Sequence, residues 1–273
     1  MNQVSIIVIN FNTFEITCNC IRSIIGHTID MEYEIILVDN ASTECNPERF
    51  KEMFPNIIFI KSDVNLGFAK GNNLGIEKAK GGHVLLLNSD TILKENSVKT
   101  TLDYLISNPK VAVVSSRLIF PDGKHQSCCQ RFPSIRYQLF ELFRFNKLVS
   151  KKKAGKILLG SFFNHDENME VDWVWGTYFM FRKDLLALLP NKKLNEDYFM
   201  YCEDMQWCLD FRNLGYQIHF CAVTEVIHLM GGSAGYKNEM MKKNHQQFLQ
   251  KNYNPLHRGI IQILSKILNG GRQ

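Results

Sequence analysis

The chain has 273 residues, 45% hydrophobic and 22% charged, enough for one large domain or one domain with an insertion. Its formal net charge of +5 is too modest to announce nucleic acid as a partner. Eight cysteines are scattered without a CxxC pair of zinc spacing, and no apolar run nears the roughly 20 residues that span a bilayer.

The first strand is expected to begin by Val4, which leaves no room for a signal peptide and points to a reduced, cytoplasmic protein with free thiols. VSIIVIN at 4–10 reads as a buried strand, followed by helical periodicity over 15–25. EIILVDN (34–40), NIIFIK (56–61), HVLLLNS (83–89) and VAVVSS (111–116) continue as strands, with helices over 68–80 and 95–107 between them. Strands alternating with helices over short connections predict a parallel, doubly wound sheet with right-handed crossovers.

The second half is less regular. Asp122-Gly123 signals a hairpin, and 173–182 returns as a strand. Residues 203–215 form a helix stopped by Gly215, and 216–222 form another strand. Residues 131–156 carry eight Lys or Arg against the single acid Glu141. Residues 255–268 place Leu256, Ile260, Ile263, Leu264, Ile267 and Leu268 opposite His257, Arg258, Gln262 and Lys266. Such a basic amphipathic helix can lie on an anionic membrane or pack on the domain.

VLLLNSD at 84–90 runs from a buried strand straight into Asn88 and Asp90. A carboxylate at the carboxyl end of such a strand sits where open α/β sheets bind ligands, and it can hold a divalent cation that in turn holds a diphosphate. A polar turn capping the next helix is the plainer alternative. In NLGFAKGNNLG the glycines at 67, 71 and 75 are four apart, unlike a dinucleotide GxGxxG, and no Walker-type loop is present. They would let backbone approach a ligand near a helix start, with Asn72 and Asn73 as amide donors, or simply form a tight strand-to-helix turn.

VSIIVINFN, LVDNAS, NLGFAKGNN, LLLNSD, WVWGTYFMFRKD, FMYCEDMQWCLDFRNLGY and HLMGGS follow in this order over residues 3–233. Together they resemble family 2 glycosyltransferases of the GT-A fold, and within these the bacterial rhamnosyltransferase group. The resemblance implies an α/β, GT-A-type, mostly parallel sheet with an irregular acceptor-side half and C-terminal helices. It divides the chain into a GT-A domain at 1–235 (nucleotide-sugar half 1–116, acceptor half 117–235) and a basic helical extension at 236–273.

The resemblance further implies inverting transfer from a nucleoside-diphosphate sugar, dTDP-L-rhamnose first and a UDP-sugar second, with Mg2+ or Mn2+ as cofactor. The acceptor implied is a glycan, in particular one linked to polyprenyl diphosphate, with peripheral contact to the inner face of the membrane. Nucleotide contacts fall on Asn10, Asn12, Asp39, Asn65, Gly67, Asn73 and Asn88, and metal ligands on Asp90 and His228. Asp204, beside Glu203, is the expected catalytic base, with Trp173, Trp175, Gly176 and Trp207 on the acceptor side.

The tryptophans and Tyr198, Phe199 and Tyr201 are as readily core residues. The carboxylates at a helix start are favoured by the helix dipole, which would also keep the base ionised. Two positions depart from the usual pattern: Asn88 replaces the first acid of Asp-x-Asp, and Gln206 stands where relatives carry another acid. A nucleotide-sugar-binding module without turnover is the alternative that Asn88 suggests; there Asp204→Asn would change nothing. A nucleotidyltransferase would want a triphosphate loop after the first strand, which FNTFEI does not offer.

Overall fold

The computed structural model describes residues 3–230 and 237–270, so Gly231, Gly232 and Ser233 of the HLMGGS motif and the expected boundary at 235 lie outside the described residues. Strands β1 (Val4–Asn10), β2 (Tyr33–Asn40), β3 (Ile58–Ser62) and β4 (His83–Asn88) alternate with helices α1 (Phe14–His27), α2 (Arg49–Met53) and α3 (Gly67–Ile76). Then follow β5 (Thr91–Leu93), α4 (Ser97–Ser107), β6 (Val111–Ile119), β7 (Cys129–Gln130), α5 (Ile135–Leu142) and α6 (Lys151–Leu158). The chain continues through β8 (Met169–Val171), β9 (Trp173–Val174), β10 (Tyr178–Arg182), α7 (Glu203–Asn213), β11 (Gln217–His228), α8 (Lys237–Asn252) and α9 (Pro255–Gly270).

The main sheet has the order β3-β2-β1-β4-β10-β6-β11-β5, with β8 added on β11. Strands β1 to β4 pair in parallel, β10 runs antiparallel to both β4 and β6, and β11 is again parallel to β6. The five strands expected from the first half therefore share one direction, as a mostly parallel sheet requires. Consecutive residues Ile6, Ile7 and Val8, and likewise Val84, Leu85 and Leu86, are all fully buried. Since neighbours on a strand face opposite ways, both faces of the sheet are covered, which is why these strands read as unbroken apolar runs.

Helix α3 explains the glycine spacing. Residues four apart share a helical face. A Cβ on Gly71 would lie 3.0 Å from Ile9 Cδ1, and one on Gly75 would lie 2.6 Å from Ile7 Cγ2. The missing side chains let α3 settle onto β1.

The expected strand at 173–182 is two strands in different sheets. Strand β9 pairs with β7, and β10 enters the main sheet. Between them the Trp175 N–H donates to Cys128 O at 3.0 Å, and the Gly176 N–H turns to the Asp204 carboxylate. Strand β11 runs beyond the expected end at 222 to His228, across a register break between Cys221 and Glu225. Gly123, at φ +84°, makes the expected hairpin turn.

The basic segment folds into α5 and the start of α6. Helix α5 packs on α9, where Gln138 Nε2 donates to Ser265 Oγ at 2.6 Å. Helix α9 buries Ile261 and Leu264 yet leaves Leu256, Ile263 and Ile267 exposed, so packing on the domain uses only part of its apolar surface. Among the described residues no helix is long and apolar enough to cross a membrane, and all eight cysteines are free thiols.

Candidate active site

Asn10 and Asn88 end β1 and β4, and Asp39 is the last residue but one of β2 beside them, Asn10 in register with Asp39 and Ile9 with Asn88. Asp39 is buried; its Oδ1 accepts from Asn10 Nδ2 at 2.8 Å and its Oδ2 from the Ser42 N–H at 3.1 Å. Each oxygen keeps a further lone pair, which is what a nucleobase N–H would need. Both Asn10 donors are committed, to Asp39 and to Ser42 Oγ at 2.9 Å. Asn12, at φ +55°, accepts from the Thr43 N–H at 2.8 Å. Asn10 and Asn12 thus brace the turn after β2 around Asp39.

The loop before α3 is tied to the chain itself. Asn65 Oδ1 accepts from the Gly67 N–H at 2.9 Å and from Asn40 Nδ2 at 3.0 Å, while Asn40 Oδ1 accepts from the Leu66 N–H at 2.8 Å. Gly67, at φ +73°, lies against Phe199, whose carbonyl oxygen would be 2.2 Å from an added Cβ. Asn73 Nδ2 donates to Leu194 O at 2.8 Å and to Glu196 Oε1 at 2.9 Å. The close approach that Gly67 permits is to the 194–199 segment, and the Asn73 amide is committed to that segment rather than presented to a ligand.

Asp90 and His228 meet as the resemblance implied. His228 Nε2 lies 3.3 Å from Asp90 Oδ1, and the Asp90 carbonyl accepts from the Leu229 N–H at 2.9 Å. Strand β5 carries this pairing, since Thr91 is in register with His228. Gln126 sets the tautomer. Its Nε2 donates to His228 O at 2.8 Å, so its Oε1 must accept from His228 Nδ1 at 2.7 Å. With Nδ1 held, Nε2 is the ring atom that faces the carboxylate. A ring N–H held by a second group is the usual support of a metal-ligating histidine.

Asn88 Oδ1 is buried without a hydrogen-bond partner, a further acceptor at the same strand end. The donor set fits a divalent cation. Among the described residues no group of three or more His, Cys, Asp or Glu side chains converges, so a bound diphosphate would have to supply further oxygens.

Asp204 opens α7. Its Oδ2 accepts from the Gly176 N–H at 3.0 Å and its Oδ1 from the Met205 N–H at 2.8 Å. Burial nevertheless pushes its pKa up, from 3.8 to about 6. Desolvation outweighs the N–H donors of the helix terminus, yet a pKa of about 6 leaves the carboxylate mostly ionised at neutral pH. Glu203 is buried more deeply, with Oε2 unpartnered, and burial together with the Asp204 charge lifts it well above the usual carboxylate range. Of the two neighbours Asp204, with a pKa of about 6, is the one poised to accept a proton at neutral pH, as general base work requires.

The two halves of the site are joined at one turn. Gly176 binds Asp204, and the next residue, Thr177, accepts through its carbonyl from the Asn88 N–H at 3.0 Å. A side chain at 176 would strike Phe68, at 2.8 Å. Trp173 and Trp175 are half-buried beside this turn, Trp173 Nε1 donating to Arg131 O at 3.1 Å. Trp207 is not an acceptor-side residue: it is fully buried, stacked with Phe68 and edge-on to Phe179, its Nε1 donating to Asn195 O at 2.9 Å. Gln206, in the place of an acid, donates to Asp210 Oδ1 at 2.7 Å and accepts from Asn252 Nδ2 at 2.9 Å. The sequence offered no signal for the Asn40, Ser42 and Gln126 side chains or for the Thr177 carbonyl, whose roles come only from what they face.

A mostly parallel sheet with these side chains at its carboxyl edge defines a GT-A-type glycosyltransferase. The Glycosyl transferase family 2 model matches residues 5–187, and the chain belongs to that family. It is 25% identical over 209 residues to the rhamnosyltransferase WbbL of Escherichia coli K12, covering 73% of this chain and 74% of WbbL. It is 22% identical over 217 residues to the N-acetylglucosaminyl-diphospho-decaprenol L-rhamnosyltransferase of Mycobacterium tuberculosis, covering 74% and 68%. A similar fold occurs in the mannosyltransferase PcManGT of Pyrobaculum calidifontis, solved with GDP-Man and Mn2+, at TM-score 0.62 and 16% identity over 97% of this chain and 70% of that one.

Proposed function

We propose that the chain is an inverting, metal-dependent glycosyltransferase of cell-surface polysaccharide synthesis, acting at the cytoplasmic face of the membrane. The donor is dTDP-L-rhamnose, with a UDP-hexose second, and the acceptor is a glycan carried on polyprenyl diphosphate. The observation that carries this reading is the pair of poised groups, Asp90–His228 at one strand end and Asp204 tied to it through Gly176 and Thr177.

Asp204 takes the proton from the acceptor hydroxyl as its oxygen bonds to the anomeric carbon. The bond from that carbon to the diphosphate breaks on the opposite side, inverting the centre. Asp39 receives the nucleobase N–H, and Asn10, Asn12 and Ser42 keep its carboxylate in place. Asp90 and His228 would hold the cation, which supplies charge neutralisation at the departing diphosphate. The exposed Leu256, Ile263 and Ile267 of α9, with the basic residues of 131–156, support the lipid-side part of the reading. The rhamnosyltransferase relatives support the choice of sugar.

The test is calorimetric titration with dTDP and with UDP, each with and without Mn2+, on the wild type and Asp90→Ala. Metal-dependent binding of dTDP over UDP, lost in the variant, is expected. Equal binding of both nucleotides would remove the rhamnose donor, and binding of neither would remove the reading altogether.

A further inference from the structure

Helix α8 lies beyond the family-matched residues 5–187, yet it grips the segment that delivers Asp204. Asn244, 7% exposed, donates from Nδ2 to Met200 O at 2.7 Å and to Tyr201 O at 3.2 Å. Phe248 is fully buried in a cluster with Tyr198 and Met205. Asn252 donates to Gln206 at 2.9 Å. These contacts bracket the base on both sides in the sequence.

What they hold is a strained turn. Tyr201 and Cys202 stand at φ +71° and +72°, consecutive non-glycine residues in the left-handed region. Such a pair persists only where its surroundings over-determine it, and such strain gathers at working sites. The turn sets where α7 starts. Cys202 O receives the Gln206 N–H at 3.0 Å, and from that start the Asp204 carboxylate reaches the Gly176 N–H. The two carbonyls just upstream are the ones that Asn244 satisfies.

We propose that Asn244 is a positioning residue for Asp204: by holding the Met200 and Tyr201 carbonyls that lead through the left-handed turn it fixes the start of α7 and hence the direction of the base. The role belongs to this chain's own C-terminal helix and rests on the reading of Asp204 as base.

The test compares Asn244→Leu, nearly isosteric but without donors, with Asp204→Asn and the wild type. Mn2+-dependent nucleotide binding, thermal unfolding, kcat and its pH profile are measured in each. Asn244→Leu is expected to fold and to bind nucleotide within about twofold of wild type, because the donor side of the site is untouched. Its kcat falls about 10- to 100-fold, the scale of a misplaced reacting group, and the acid limb of its pH profile moves. A kcat within threefold of wild type, or a loss no greater than the loss of nucleotide binding, overturns the role. Should the leucine variant not fold, Asn244→Ser, too short to reach both carbonyls, must show the same split between kcat and nucleotide binding. If Asp204→Asn keeps its activity, the base assignment fails and the positioning role with it. If Asp204→Asn is inactive while Asn244→Leu or Asn244→Ser matches wild type, the positioning role alone fails.

Discussion

Titrating the enzyme between pH 4.5 and 8.5 probes Asp204 directly. Burial raises its pKa from 3.8 to about 6, ~3 kcal/mol of preference for the protonated form. Initial rates of nucleoside-diphosphate release should rise through pH 6 and level above pH 7. At pH 5 only about a tenth of Asp204 is ionised, so the rate there should be about a tenth of the plateau. Stability should run the other way. The folded state holds this proton more tightly than the unfolded chain, so the contribution is complete below pH ~4 and is lost as pH rises through about 6.

Asp204→Asn removes that dependence. It also leaves an amide nitrogen facing the N–H of Gly176 or Met205, a cost of about 1–3 kcal/mol that offsets most of the gain from removing a buried charge. Its urea stability at pH 7 should thus lie within about 2 kcal/mol of wild type, while kcat falls by about 10²–10⁴. Glu203→Gln separates the pair, because burial and the Gly176 and Met205 donors that set the Asp204 pKa remain, so the limb stays at about 6. An acid limb near pH 4, or more than a tenth of wild-type activity in Asp204→Asn, would refute the assignment.

Gln126→Leu frees the His228 ring and should weaken Mn2+-dependent nucleotide binding about 10- to 100-fold by calorimetry; unchanged affinity would mean that Gln126 does not orient a ligand. Ile263→Ser with Ile267→Ser removes two exposed apolar side chains from α9 and should cut sedimentation with anionic vesicles at low salt by about tenfold or more. Unchanged sedimentation would show that α9 does not carry the contact.

Long apolar runs made the core of the sheet legible. At β1, β2 and β4 burial on both faces leaves no alternation to misread, and the polar residue that ends each run is by necessity at the carboxyl edge. Short pieces were not legible. Strands β5 and β8 have three residues each, too few for a period, and β5 is the strand that brings His228 to Asp90. Apolar character runs on through Trp173–Val174 and Tyr178–Arg182, so the break at Gly176 needed a tertiary partner, Asp204, to be seen. The glycines of α3 carried a true signal of close approach, but spacing does not say whether the approaching group is a ligand or Ile7. Trp207 fails similarly, since an aromatic next to catalytic carboxylates looks the same in sequence whether it lines a pocket or fills a core. Asn244 had no signal at all, an amide on a polar helix whose two acceptors lie more than forty residues upstream.

The antiparallel strand β10 bears on how this protein is made. It lies between β4 and β6, so a nascent chain that has left the ribosome only through residue 116 displays Val84, Leu85, Leu86 and Leu87 along a bare hydrogen-bonding edge. Such an edge, apolar and unpaired, recruits other strands and favours aggregation until the right one arrives. That strand emerges with residues 178–182, immediately behind Gly176 and Thr177. Closing the sheet and delivering the backbone that holds both Asn88 and Asp204 are therefore one event, and a fragment ending before it would be sticky as well as inactive.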